Sequence, residues 1–380
     1  MTFESRLAEL PMTELTEHAR RADDAAVSRA LARCGDGRGD LADVAALLSP
    51  AASDRLEELG RAARRITRQR FGRTVHLFAP LYLSNECLST CTYCGFSKHL
   101  DIRRRTLTPV EVERESAHLS AQGFRHQLLV SAEHQKHVSP EYLELVLERL
   151  HPTVPSLTIE TQVWDTDVYR RLGAAGCEGV VIYQETYLPD TYQDVHLRGM
   201  KRHYDFRLAG PERVAAAGLR RVGIGALFGL HHDWREEALA LAAHADWLTR
   251  TYWDLEVTVA FPRMRDSAAG FRPRSLLSDR ELVQLTAAMR LFQHDVGIVL
   301  STRESPTLRD GIVPFGVTHM SAGSSTEPGG YEEAGTSEEQ FAISDERSPA
   351  QVASMLRDRG YDPVWKDWSG ALSGDALERL

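Results

Sequence analysis

Residues 87–94 read Cys87–Leu88–Ser89–Thr90–Cys91–Thr92–Tyr93–Cys94, a Cys-x-x-x-Cys-x-x-aromatic-Cys run. It holds three of the chain's five cysteines. Thiolates are the usual ligands of iron–sulfur clusters, and a four-iron cluster normally takes four of them. Three ligands leave one iron open. Such an iron can be chelated by the amino and carboxylate groups of S-adenosylmethionine. An electron from the cluster then splits the sulfonium and frees a 5′-deoxyadenosyl radical. Two blander readings stand beside this one. A structural zinc site wants four closed ligands, often as two pairs, so Cys177 or a histidine would have to supply the fourth. The three thiols could also be a chance cluster in the interior.

Outward from this loop the chain alternates. Apolar, strand-like runs lie at 75–79, 127–131, 157–160, 179–183, 221–226, 255–261, 297–301 and 317–322. Helical stretches fall between them at 109–122, 140–150, 165–175, 211–217, 236–250 and 279–292. The strand runs are short and nearly continuous in apolar residues, as buried parallel strands are. Eight such units predict an α/β chain closed as a (β/α)8 TIM-type barrel, over residues 73–330. Residues 1–72 read as an N-terminal helical extension, with apolar spacing in Leu56, Leu59, Ala62 and Ile66. Residues 331–380 read as a C-terminal tail with one helix near 349–359, anchored by Trp365 and Trp368.

Composition excludes several classes. A net charge of −9 over 380 residues argues against nucleic acid as a main partner. Five cysteines with three clustered do not form a disulfide framework and suit a reducing compartment. No signal peptide opens the chain and no apolar run reaches membrane-spanning length. A cytoplasmic protein with no membrane partner is the expectation.

In a (β/α)8 barrel the chemistry sits at the carboxyl ends of the strands. The cysteines follow the first strand and Glu133 the second. Glu160 ends the third and Glu185 the fourth. Gly225 and Gly229 flank the end of the fifth. Arg263 and Arg265 follow the sixth, Arg303 and Glu304 the seventh, Ser321 and Ser324 the eighth. Each has an ordinary structural alternative. Glu133 could cap the next helix, and Glu160 and Glu185 could be partners of structural ion pairs. Arg263, Arg265 and Arg303 could be paired with those carboxylates, and Gly225 could be a turn glycine. The functional alternatives are a hydrogen bond from Glu133 to the cofactor's amino group and backbone approach by adenosine at Gly225. A guanidinium forks onto a substrate carboxylate.

Longer runs resemble one family. They include Leu48–Ser49–Pro50–Ala51–Ala52–Ser53, Thr67–Arg68–Gln69–Arg70–Phe71–Gly72, Cys91–Thr92–Tyr93–Cys94–Gly95–Phe96–Ser97 and Tyr183–Gln184–Glu185–Thr186–Tyr187. Ser301–Thr302–Arg303–Glu304–Ser305–Pro306 and Val364–Trp365–Lys366–Asp367–Trp368 continue the match. The chain resembles the tyrosine lyases (2-iminoacetate synthases, the ThiH family) of thiazole and thiamine biosynthesis, within the radical SAM superfamily. The resemblance implies a 4Fe-4S cluster on Cys87, Cys91 and Cys94, with Glu133 on the amino group of S-adenosyl-L-methionine; Tyr93 in the cysteine loop and Glu160 and Gly225 at strand ends are the further expected contacts to that cofactor. It implies L-tyrosine cleaved at Cα–Cβ to 2-iminoacetate (dehydroglycine) and p-cresol, with Arg303 on the substrate carboxylate; Arg263 and Ser321 are the further substrate contacts expected from their strand-end positions. Arg303 and Glu185 are the expected catalytic pair. Implied partners are the thiazole synthase ThiG and a flavodoxin- or ferredoxin-type electron donor. Ala132 stands where the family has glycine, and Asp266 where proline is expected. A related lyase acting on tryptophan, or a non-catalytic metal-binding partner of the thiazole synthase, are the alternatives. A hydrogenase-maturation lyase with a second cluster is disfavoured, because no cysteine follows Cys177.

Overall fold

The computed structural model describes residues 2–365. Lys366, Asp367 and Trp368 lie outside the described residues. Eight parallel strands form the centre: β1 Thr74–Ser84, β2 His126–Ser131, β3 Ser156–Glu160, β4 Cys177–Glu185, β5 Arg221–Ala226, β6 Glu256–Ala260, β7 Gly297–Leu300 and β8 His319–Ser321. Neighbours pair in chain order, and β8 returns to β1 through His76↔His319, Leu77↔Met320 and Phe78↔Ser321. The barrel expected from the alternation is therefore closed. All six residues of β2 and of β5 are buried, which is why these runs carry no polar alternation.

Two strands depart from expectation. β1 runs through Pro80 to Ser84, beyond the apolar run at 75–79. Proline has no N–H to give a ladder, but the Pro80 carbonyl is used, accepting from Tyr331 Oη at 2.6 Å. β8 is shorter than 317–322, because Thr318 spends its side chain on the β7 backbone: Ile298 N donates to Thr318 Oγ1 at 2.8 Å.

Helix starts follow a repeated local rule. Thr108, Ser139, Ser305 and Ser348 each cap a helix whose first residue is proline, accepting the N–H three residues on. Proline at that position loses no intrahelical bond and brings a preset φ. Ser278 does the same without proline, in a capping box with Glu281.

The N-terminal helices pack on the barrel's helical ring. Helix Leu56–Phe71 lies against helix Asp279–Phe292. Phe3 stacks on His244 at 4.0 Å between centroids. The C-terminal part from Tyr331 is bound to the barrel rather than hanging from it. Strand Asp362–Val364 pairs with β1 from outside, an element absent from the sequence expectation. Trp365 packs edge-on against Phe124 at 5.2 Å. Arg309 and Asp345 form an ion pair with both side chains fully buried, and Arg347 adds a second contact to Asp345 at 2.7 Å. Arg309→Leu leaves Asp345 to Arg347 alone and takes the donor from the buried Ser321 carbonyl, so it is expected to cost about 3 kcal/mol. Urea unfolding, with the free energy lowered by that amount at unchanged slope, is the measurement.

Candidate active site

The strand ends open at one face of the barrel, and the cysteine loop closes over it. Asn85 anchors the loop's exit from β1: its Nδ2 donates to the Arg103 carbonyl at 2.9 Å, and its Oδ1 accepts Arg105 N at 2.7 Å. Arg104 collects the carbonyls of Asn85, Phe96 and Ser97 at 2.7, 3.1 and 2.8 Å. Strand Thr90–Cys91 pairs antiparallel with His196–Arg198. Leu88 N donates to Glu133 O at 2.9 Å, tying the loop to the end of β2. Gly199 lets the two segments meet: its φ is +88°, and a Cβ there would lie 2.4 Å from Ser89 Oγ.

All three loop cysteines are unbridged, with Cys87 and Cys91 buried and Cys94 half-buried. Cys91 is within electrostatic reach of both Cys87 and Cys94. Cys94 Sγ accepts Phe96 N at 3.4 Å and Gln340 Nε2 at 3.9 Å, the kind of N–H···S contact that suits electron-rich sulfur. The other two cysteines are elsewhere. Cys34 sits in helix Asp24–Gly35, and Cys177 begins β4, the opposite end from the mouth. A closed four-thiolate zinc site is thus unavailable. Three gathered thiols fit a cluster with one open iron.

Around this loop lies a ring of buried charge. Glu133 accepts Ser89 Oγ at 2.9 Å and Arg207 Nη1 at 3.0 Å. It does not cap the following helix; Ser139 does. Glu185 pairs with Lys201 Nζ at 2.6 Å, and Arg207 stands 3.9 Å away. Burial pushes the Glu185 carboxyl up, but Lys201 and Arg207 outweigh burial and hold it below the ordinary value. Glu185 is also the one non-glycine with positive φ among the described residues, at +71°, on a bulge where β4 leaves its register with β5. Strain of this kind gathers at functional sites. Tyr93 Oη bonds His196 Nε2 at 2.9 Å, with Lys201 above its ring at 5.9 Å.

Below the ring a cavity runs into the barrel between Phe78, Tyr82, Leu128, Tyr183 and Val299. Its lining includes Glu160, Glu185, Lys201, Arg265, Arg303 and Ser321. Lys201 is paired with Glu185, and Arg265 with Glu304 at 2.7 Å. Arg303 makes no ion pair among the described residues; its guanidinium carbon stands over Phe341, 3.3 Å from the ring centroid. Burial pulls its pKa down from the ordinary arginine value. Ser321 Oγ accepts Thr302 N at 3.1 Å.

Glu160 faces the same cavity, half-buried and without a hydrogen bond among the described contacts. Burial, then repulsion from Glu185, raises its carboxyl from 4.5 to about 7. The folded chain therefore holds this proton more tightly than the unfolded chain. The resulting stability is fully present below the unfolded value and is lost as pH rises through about 7. Between pH 6 and 8 the wild type is expected to lose about 1 kcal/mol more than Glu160→Gln. Paired urea titrations at the two pH values check it.

Two of the expected site residues, Arg263 and Gly225, are not among the residues lining this cavity. Arg263 is fully engaged away from the cavity. It forks onto Glu304, with Nε at 3.0 Å, and reaches Asp279 Oδ1 and Leu277 O at 2.8 and 2.9 Å. Arg263 is thus ion-paired, with Glu304 and Asp279 in place of the strand-end carboxylates Glu160 and Glu185. Gly225 is crowded by protein on the side where a Cβ would stand. A Cβ would lie 2.7 Å from the Tyr183 ring and 2.8 Å from Ala260 O, so barrel packing accounts for the glycine. Residues not anticipated are Lys201, Arg207, Gln340 and Phe341. Lys201 and Arg207 lie in the long connection between β4 and β5, whose length was itself a signal. Gln340, whose Oε1 accepts Tyr82 Oη at 2.7 Å, comes from the segment read as tail.

The comparisons with known proteins meet this geometry. The Radical SAM superfamily pattern matches residues 81–242, and the Biotin and Thiamin Synthesis associated domain matches residues 260–362. The chain is 42% identical to the 2-iminoacetate synthase of Escherichia coli (strain K12), over 379 residues and 100% of both chains. This chain belongs to the 2-iminoacetate synthase family. The Salmonella typhimurium 2-iminoacetate synthase is 41% identical over 98% of both. Among solved structures, the FeFe-hydrogenase maturase HydG from Carboxydothermus hydrogenoformans superposes with a TM-score of 0.87 at 29% identity, covering 97% of this chain and 86% of its own. Methylornithine synthase (PylB) shares the fold, with a TM-score of 0.72 at 20% identity. A 2-iminoacetate synthase family member with this cysteine loop is a radical SAM enzyme and a lyase. No helix among the described residues is long and apolar enough to cross a membrane.

Proposed function

We propose that the chain cleaves the Cα–Cβ bond of L-tyrosine to give 2-iminoacetate and p-cresol for thiazole assembly. The observation that carries the substrate class is Arg303, a cavity cation without an anionic partner among the described residues. A buried unpaired guanidinium awaits a carboxylate, and its planar fork fits one. Phe341 fixes that plane from behind.

Cys87, Cys91 and Cys94 would hold a 4Fe-4S cluster, and Glu133, oriented by Arg207 and Ser89, would accept a hydrogen bond from the amino group of S-adenosylmethionine. When bound, this pair supplies the one-electron chemistry that takes a hydrogen atom from the substrate. The balance is L-tyrosine, S-adenosylmethionine, two electrons and one proton, giving 2-iminoacetate, p-cresol, methionine and 5′-deoxyadenosine. Of the two electrons, one would be consumed in cleaving the cofactor and the second, with the proton, would complete p-cresol. A low-potential flavodoxin or ferredoxin is the chemical class of donor required. The imine hydrolyses in water, so a thiazole synthase such as ThiG is the fitting consumer.

The chain's own residues position and shield. Arg303 anchors the substrate carboxylate. Glu160, poised near neutral pH, is suited to take the ammonium proton, leaving an amine N–H for abstraction. Lys201 keeps Glu185 ionised at the mouth. The aromatic walls exclude water from a reactive fragment.

The test is an anaerobic assay of reconstituted protein with dithionite, S-adenosylmethionine and L-tyrosine. 5′-Deoxyadenosine and p-cresol should form together. Deoxyadenosine with tryptophan but not tyrosine would move the chain to another substrate. Neither product, from protein with a full and reducible cluster, would remove the lyase assignment.

A further inference from the structure

We infer that Glu86, His134 and His137 form a site for one divalent metal ion of the zinc class, separate from the cysteine site. One donor atom from each lies within 4.8 Å of the other two. The two imidazoles stand 4.4 Å apart at 79°. His134 Nδ1 is buried and has no hydrogen-bond partner among the described residues, so one of its ring nitrogens is unsatisfied. Glu86 makes no ion pair with a lysine or arginine among the described residues. A carboxylate without a cation, beside an unsatisfied imidazole, is an arrangement a metal ion resolves.

The donor set chooses the ion. Two imidazoles and one carboxylate suit Zn²⁺, Co²⁺ or Ni²⁺, whereas Ca²⁺ and Mg²⁺ want oxygen shells. Metal bonds of ~2.0–2.2 Å put tetrahedral donors ~3.4 Å apart, so the group must contract by about an ångström. His137 is exposed and lies in the turn after β2, free to rotate inward. Water completes the fourth position.

Placement gives the site a role. Glu86 directly precedes Cys87, and His134 directly follows Glu133. A bound ion ties the loop that carries the cysteines to the loop that carries Glu133, beside the single backbone bond from Leu88 N to Glu133 O. It acts as a clamp on the framework of the site and takes no part in bond breaking.

The experiment uses the full chain, free of any histidine tag, with its cluster reconstituted so that the loop thiols are occupied. Equilibrium dialysis against Zn²⁺, with zinc and iron both counted, should find one zinc per chain beyond the iron. His137→Ala and Glu86→Gln should each weaken zinc binding by at least ~10-fold while iron content stays at the wild-type value. Zn²⁺ should raise the thermal midpoint of the wild type and leave that of His137→Ala unmoved. No zinc beyond background, or equal affinity in wild type and both variants, overturns the site. Neither readout depends on lyase turnover.

Discussion

Replacing Arg303 by alanine is expected to lower kcat/KM for L-tyrosine by about 10²–10³-fold, or about 3–4 kcal/mol. The size follows from burial. Tyrosine's carboxylate entering this cavity leaves water, and without Arg303 it would meet Glu160 and Glu185 with no free cation among the lining residues described. Lys201 and Arg265 are committed to Glu185 and Glu304. Arg303→Lys keeps the charge but loses the two-pronged geometry and the stacking on Phe341, so it should recover only part of the loss. The signature is uncoupling: 5′-deoxyadenosine should still form while p-cresol falls. If alanine leaves KM and the product ratio unchanged, the substrate carboxylate is held elsewhere.

Cys94→Ala is expected to abolish product formation and to strip most of the iron. No other described cysteine can replace it, because Cys34 and Cys177 lie away from the mouth. The fold should survive, since Cys94 is only half-buried and lies in a loop held by Asn85 and Arg104. Wild-type circular dichroism with background iron and no deoxyadenosine is the expected combination. A brown, active Cys94→Ala protein would place a cluster ligand outside the loop.

Much of this was readable along the chain. The spacing of Cys87, Cys91 and Cys94, read with its flanking runs, points to the radical SAM superfamily because ligand type and count are local properties. The apolar runs locate the barrel strands because a strand buried on both faces is predominantly apolar and lacks polar alternation. Strand ends then mark where Glu133, Glu160, Glu185 and Arg303 meet.

What remained hidden was pairing. Arg263, Arg265 and Arg303 look alike in sequence, each an arginine just past a strand end. Only the fold shows that Glu304 takes the first two and leaves the third free, because partner choice depends on distances between β6 and β7 that no spacing encodes. Gly225 likewise looked open until Tyr183 was seen against it. Gln340 and Phe341 come from beyond the last barrel strand, and their place over Cys94 and Arg303 depends on a long-range return of the chain. The sequence by itself determined the barrel and pointed to the radical SAM superfamily, since these follow from local hydrophobic pattern and from the cysteine run with its flanks. The tertiary structure alone decided which charges cancel and which one stays available to bind, since that is set by contacts between residues distant in the chain.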